Sequence, residues 1–100
     1  MARPRYPPLA ARDLGEIRRY IARDNPERAR TFVLEIRDHC RRLAQYPAIH
    51  PVEPEIDPTV RKAIHGAYLI FYEEDELGIL VLRVFHGARD LAGLVLKSAP

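Results

Sequence analysis

Between Val60 and Asp90 the chain reads VRKAIHGAYLIFYEEDELGILVLRVFHGARD, and no other stretch restricts the fold as much. Two apolar runs, Ala67 to Glu73 and Leu77 to His86, flank an acidic turn. Val60 to Ile64 precedes them, set off by His65-Gly66. Short runs of β-branched and aromatic residues between turn residues predict strands. Neighbouring strands joined by short turns predict an antiparallel meander. The last two runs are apolar on both faces. Strict alternation places Leu80, Leu82 and Val84 on one side, and Ile79, Val81 and Phe85 on the other with Arg83 among them. Each exposed large apolar side chain forgoes roughly 1.5–3 kcal/mol of burial. The second face therefore needs a cover, either the C-terminal tail or another protein chain.

What precedes the meander supplies a cover for one face. Arg3 to Tyr6 predicts a short strand, confined by its prolines to a sheet margin. A helix is expected from about Leu9 to Arg23, with Ala10, Leu14, Ile17 and Ile21 on one stripe. Asp24-Asn25-Pro26-Glu27 punctuates the chain. Asn25 or Asp24 can cap the next helix, Pro26 fits its first turn, and Glu27 complements its dipole. That helix runs to about Tyr46, with Ala29, Val33, Ile36, Cys40 and Leu43 on a shared face, until Pro47 ends it. So short a link makes the two helices an antiparallel hairpin. Pro47, Pro51, Pro54 and Pro58 mark an extended return loop. The tail, with Leu91, Leu94 and Val95, fits a short helix or an extended flap. The expected class is α+β: an N-terminal strand and a two-helix antiparallel hairpin packed on a small, mostly antiparallel sheet, all in a single domain over 1–100.

Composition narrows the function classes. The chain is 47 % hydrophobic and 30 % charged with a net charge of +2, which argues against disorder and permits an acidic partner or nucleic acid without requiring either. Of 16 basic residues only Lys62 and Lys97 are lysine, and arginine forks favour geometric recognition of carboxylates, phosphates and aromatic faces. Cys40 is the single cysteine, so no internal disulfide forms; that fits a reducing, cytoplasmic setting. The N-terminus lacks an apolar signal core, and no apolar run is long enough to span a bilayer. His39, His50 and His65 lack metal-ligand spacing, so neither a metal nor a cofactor is expected.

The candidate functional residues gather where the last strand ends. Arg83, His86, Arg89 and Asp90 stand within eight positions, with Gly87 opening a loop. Arg83, a cation in an apolar strand, either meets a partner or forms an internal salt bridge to Asp90 or Glu53. Asp90 can instead cap a tail helix. Arg61 and Lys62 point to opposite faces, so at most one joins the face of Arg83. Arg30, Arg37 and Arg41 form a stripe beside the core face of the second helix, either solvated or opposite acidic partner residues. Cys40 reads as a buried thiol.

In element order, and in A-A-R-D-L-G-E-I from Ala10 to Ile17, Asn25-Pro26 followed by Ala29 and Phe32, Leu43 ahead of Pro47, Arg61, Gly66 with Tyr68 through Tyr72, and the closing R-V-F-H-G-A-R-D from Arg83 to Asp90, the chain resembles the RelE/ParE superfamily of small bacterial toxins, the ParE branch in particular. The resemblance covers essentially the whole chain. It implies the toxin of a type II toxin–antitoxin system, held in a hetero-oligomer by a ParD-like antitoxin whose C-terminal segment wraps it. ParE-like members resemble inhibitors of DNA gyrase, which implies a non-catalytic protein that inhibits by direct binding, with no membrane and no sequence-specific nucleic-acid contact of its own. Arg61, Arg83, His86 and Arg89 would meet the target; Ile79, Val81, Phe85, Arg30 and Arg37 would meet the antitoxin. RelE-like members cut messages on the ribosome with lysines and arginines around the scissile phosphate and commonly a tyrosine near the C-terminus. Here Leu69 stands where an arginine is usual, and no tyrosine follows Tyr72. The alternative, an mRNA interferase, would use Arg61, Lys62, Arg83 and Arg89 as phosphate clamps and His86 as base. A degenerate, non-toxic member that only binds its antitoxin is a third reading.

Overall fold

A computed structural model describes residues 2–89 and 94–96. The order is β1 (Arg3–Arg5), α1 (Pro8–Ala22), α2 (Pro26–Gln45), a single 3₁₀ turn (Pro47–Ile49), β2 (Arg61–His65), β3 (Tyr68–Asp75) and β4 (Gly78–His86). The strands form one four-stranded sheet in the order β1-β4-β3-β2. β2, β3 and β4 make the antiparallel meander; β1 joins the far side of β4 in parallel. This is the α+β architecture expected, with helix and strand ends displaced by a residue or two.

Local chemistry accounts for the breaks. The Asn25 side chain accepts a hydrogen bond from the Arg28 amide at 3.0 Å, and Pro26 opens α2. Gly66 turns the β2–β3 hairpin at φ +59°. Gly78, at φ +131°, starts β4 where the β1 backbone crosses so closely that a Cβ would run into Arg3.

The helices cover one face. Ala10, Leu14 and Ile17 of α1 and Ile36, Cys40, Leu43 and Ala44 of α2 pack on Ala63, Ile70, Tyr72, Ile79, Val81 and Val84. Tyr72 is fully buried, and its hydroxyl donates to the Pro47 carbonyl at 2.7 Å. On the opposite face lie Phe71, Leu82 and Phe85 with Val60, flanked by Leu69 and Leu80 and by Ile56, Leu94 and Leu96.

The structure corrects two expectations. Strict alternation fails in β4 because Phe71 pairs with Arg83 while the next residue, Tyr72, pairs with Val81, so Leu82 is inserted as a β-bulge. One extra residue reverses the facing of every later position in the strand. Ile79, Val81 and Val84 therefore face the helices, and Leu80, Leu82 and Phe85 face away. The second face is also not bare: Phe71, Leu82 and Phe85 are at most 4 % exposed, sheltered by the chain's own return loop and by Leu94 and Leu96. Uncovered apolar surface thus no longer argues for an obligate partner.

Candidate functional site

β1 is short, and it pairs with β4 only as far as Leu80. Beyond that, the edge of β4 lies against α1, and a buried charge network fills the junction. Arg83 donates from Nε to Asp13 Oδ2 at 2.7 Å and from Nη2 to Asp13 Oδ1 at 3.0 Å. Asp13 Oδ2 also accepts from the Val84 amide at 3.0 Å, which satisfies a strand donor that β1 does not reach. Arg83 Nη1 donates to the Val95 carbonyl at 2.5 Å, tying in the tail. Asp13 is 4 % exposed and Arg83 7 %. The Asp13 hydrogen bonds hold the guanidinium charged against the opposing cost of burial.

Above this pair a groove of about 410 Å³ runs between α1 and the end of the meander. Asp13, Glu16, Ile17 and Tyr20 come from α1, Tyr68 from β3, and Val84, Phe85, His86 and Arg89 from β4 and the loop after it. Its floor is apolar. Its lips carry the Glu16 carboxylate on one side and Arg89 and His86 on the other. His86 Nδ1 accepts from the Ala88 amide at 3.0 Å, which in the neutral ring puts the proton on Nε2. The His86 ring stands edge-on to Tyr68, centroids 5.3 Å apart. Burial, and then the neighbouring Tyr20, push the Tyr68 phenol above its usual range. The Arg89 guanidinium lies 5.2 Å over the Phe85 ring, with Arg83 at 5.5 Å from the same ring.

The four residues expected to form one target surface are divided. His86 and Arg89 share the groove. Arg83 lies beneath it, buried, with Nε and Nη2 hydrogen-bonded to Asp13 and Nη1 to the Val95 carbonyl. Its internal partner is Asp13; Glu53 pairs with Lys62 at 3.3 Å, and Asp90 lies outside the described residues. Arg61 sits in the row Arg61–Tyr72–Val81, whereas His86 sits in the row His65–Tyr68–His86. The two rows lie four residues apart along β2 and β3, about 13 Å, and Arg61 and His86 also stand on strands separated by β3. Arg61 Nη1 donates to the His50 carbonyl at 2.7 Å, and Glu74 lies 4.0 Å away.

The residues expected to meet an antitoxin divide as well. Ile79 and Val81 are 0 % exposed beneath the helices and offer no surface, since the bulge puts them on the helix side. Phe85 is buried but lines the groove wall. Arg30 is exposed on α2, 3.4 Å from Glu27. Arg37 lies 4.6 Å over the Tyr6 ring. Sequence reading missed Asp13, Glu16, Tyr20 and Tyr68 as site residues. Asp13 carried a signal, because it falls three residues after Ala10 and four before Ile17, an acid on the apolar stripe of α1.

Comparison with known families decides the relationship: the model for the ParE toxin of the type II toxin–antitoxin system parDE matches residues 5–91. The chain belongs to the ParE toxin family. A solved chain from the chromosomal ParDE toxin–antitoxin system of P. aeruginosa is similar in fold, with a TM-score of 0.71 at 24 % identity, over 86 % of this chain and 96 % of that one. A comparison with curated protein sequences returns no match. Among the described residues of this ParE family member, no helix is long and apolar enough to cross a membrane.

Proposed function

We propose that this ParE-family chain inhibits DNA gyrase by direct binding, without catalysis, and that a ParD-like antitoxin neutralises it in a cytoplasmic hetero-oligomer. The observation that carries the non-catalytic reading is the dispersal of the cations. Phosphoryl chemistry on RNA needs several positive groups converging on one phosphate. Here Arg83 is bound by Asp13, Lys62 by Glu53 and Arg61 by a carbonyl, while Arg89 and His86 face the Glu16 carboxylate across the groove. A groove with an apolar floor, two tyrosines and lips of opposite charge suits an amphipathic protein segment better than a nucleic-acid backbone. His86, Arg89, Tyr20 and Tyr68 form its contact surface, with Phe85 as the wall; Arg30 adds an outlying contact to the antitoxin. The P. aeruginosa neighbour comes from a ParDE system, which supports the same pairing here.

The test is DNA supercoiling by purified gyrase with the toxin in excess. Supercoiling should stop and resume when antitoxin is added, and Arg89→Ala should weaken the block about 10-fold or more, as loss of a central interface arginine does. Full supercoiling at high toxin excess overturns the gyrase reading. Cleaved messages in translating extracts, found by primer extension, would favour the interferase.

A further inference from the structure

His39 on α2 and His65 at the end of β2 meet with their Nδ1 atoms 2.9 Å apart. The rings are 5.1 Å apart between centroids and inclined at 42°. Both are partly buried. Phe32, two turns before His39 on α2, meets the His65 ring edge-on at 5.5 Å and the Tyr68 ring at 5.3 Å, and Tyr68 in turn meets His86. A continuous row of rings therefore links the histidine pair to the groove. The same hairpin turn is bound to the groove's loop by the Gly87 amide, which donates to the Ala67 carbonyl at 2.7 Å. Among the described residues no set of three metal-ligating side chains forms, so the shared ligand that this geometry accommodates is a proton.

We infer that His39 and His65 form a proton-operated latch between α2 and the β2–β3 hairpin, closed while the two rings share one Nδ1 proton and opened once both are fully protonated. Two nitrogens at this distance need one N–H and one lone pair. The neutral pair provides both, and so does the pair with a single added proton. With two added protons, two N–H groups point at each other and two cations stand in contact. The surroundings do not rescue that state. On α2, the carboxylates that face the pair are already held: Glu35, which interacts with His65, by Arg28 at 2.6 and 3.2 Å, and Asp38, which interacts with His39, by Arg42 at 2.6 Å and Arg41 at 3.5 Å. Arg42 and His50, after the 3₁₀ turn, both act against added positive charge on His39. From β3 the nearest titratable group is Tyr68, an uncharged phenol in this range.

Burial first, then His65, Arg42 and His50, hold His39 below the usual imidazole value, against a smaller opposing pull from Asp38. The unfolded chain therefore takes up protons before the folded one does. The latch's contribution is complete above about pH 6.5 and is lost as pH falls below it. As the hairpin turn loosens, the groove's Tyr68 wall and the loop carrying His86 and Arg89 loosen with it.

Imidazole ¹⁵N spectra and melting curves of the full chain test the latch. At pH 8 one of His39 and His65 should be the Nδ1–H tautomer. On acidification the two rings should titrate as a coupled pair, and the Tyr68 and Gly87 signals should move with the second step. Between pH 7.5 and 5.0 the wild type should lose about 4–8 °C more in Tm than His39→Gln or His65→Gln. Two independent Nε2–H rings at pH 8 would overturn the inference. So would melting of all the variants in parallel with the wild type. Because the spectra are read on the unaltered chain, a variant that fails to fold does not prevent a decision.

Discussion

Ile36, on the helix-covered face of the sheet, and Leu82, on the other, are equally hidden at 0 and 1 % exposure, but what hides them differs in kind. Ile36 belongs to a 20-residue helix whose partner α1 lies beside it on the same strands. Leu82 is sheltered by single side chains, Ile56 from an irregular loop and Leu94 and Leu96 from the tail, each only partly buried. One cover is a cooperative element, and the other is a set of separate contacts. Arg83 joins the two: it belongs to the row of Phe71 on the loop-covered face and reaches around the sheet edge to Asp13 of α1.

That link should show the largest effect. Asp13→Ala leaves a buried guanidinium without its carboxylate and the Val84 amide without an acceptor. It should cost about 3–5 kcal/mol in denaturant unfolding, and much of the loss should return in the double variant Asp13→Leu/Arg83→Met, which removes both charges. Ile36→Ala comes next, at about 2–5 kcal/mol, because a packed helix collapses only partly into the space. If the second cover is piecemeal, Leu94→Ala should cost only about 1 kcal/mol, less than full burial of such a side chain is worth, and should raise amide exchange across Phe71–Phe85 without unfolding the helices. An equal loss for Ile36 and Leu94 would erase the distinction between the covers. Tyr72 gives an alkaline check on the helix side. Burial, outweighing Arg61, pushes its phenol up to about 12, so the folded state keeps a proton that the unfolded state gives up near pH 10. Stability should fall as pH rises from about 10 to 12, and Tyr72→Phe should flatten that slope. Smallest of all, Arg89→Ala should leave stability within about 0.5 kcal/mol, while removing the groove's guanidinium from any binding partner.

The elements themselves were legible because their signals are local: Asn25-Pro26, the Gly66 turn and the apolar stripes of both helices need no tertiary information. Facing in β4 was not. A bulge is decided by the fit of two strands to a helix layer, and nothing in ILVLRVF marks Leu82 as the extra residue. The Arg83 partner was half legible. A cation in an apolar strand demands a carboxylate, and an acid on an apolar helix stripe demands a cation, but a sequence separation of 70 hid the match. Of the site, His86 and Arg89 were readable from their place at a strand end, whereas Tyr20 and Glu16 enter only because α1 lies along the edge of β4. The meeting of His39 with His65 depends on how α2 crosses the hairpin, which sequence spacing does not encode.

The parallel seam between β1 and β4 imposes an order on maturation. Arg3 emerges from the ribosome early, yet the strand it pairs with starts at Gly78, and Asp13 likewise waits for Arg83. During synthesis the helical hairpin can assemble from neighbouring segments, but the seam closes only after the meander has been released, so the groove takes shape last. A nascent chain of this kind has no groove until β4 has left the ribosome to meet β1 and α1.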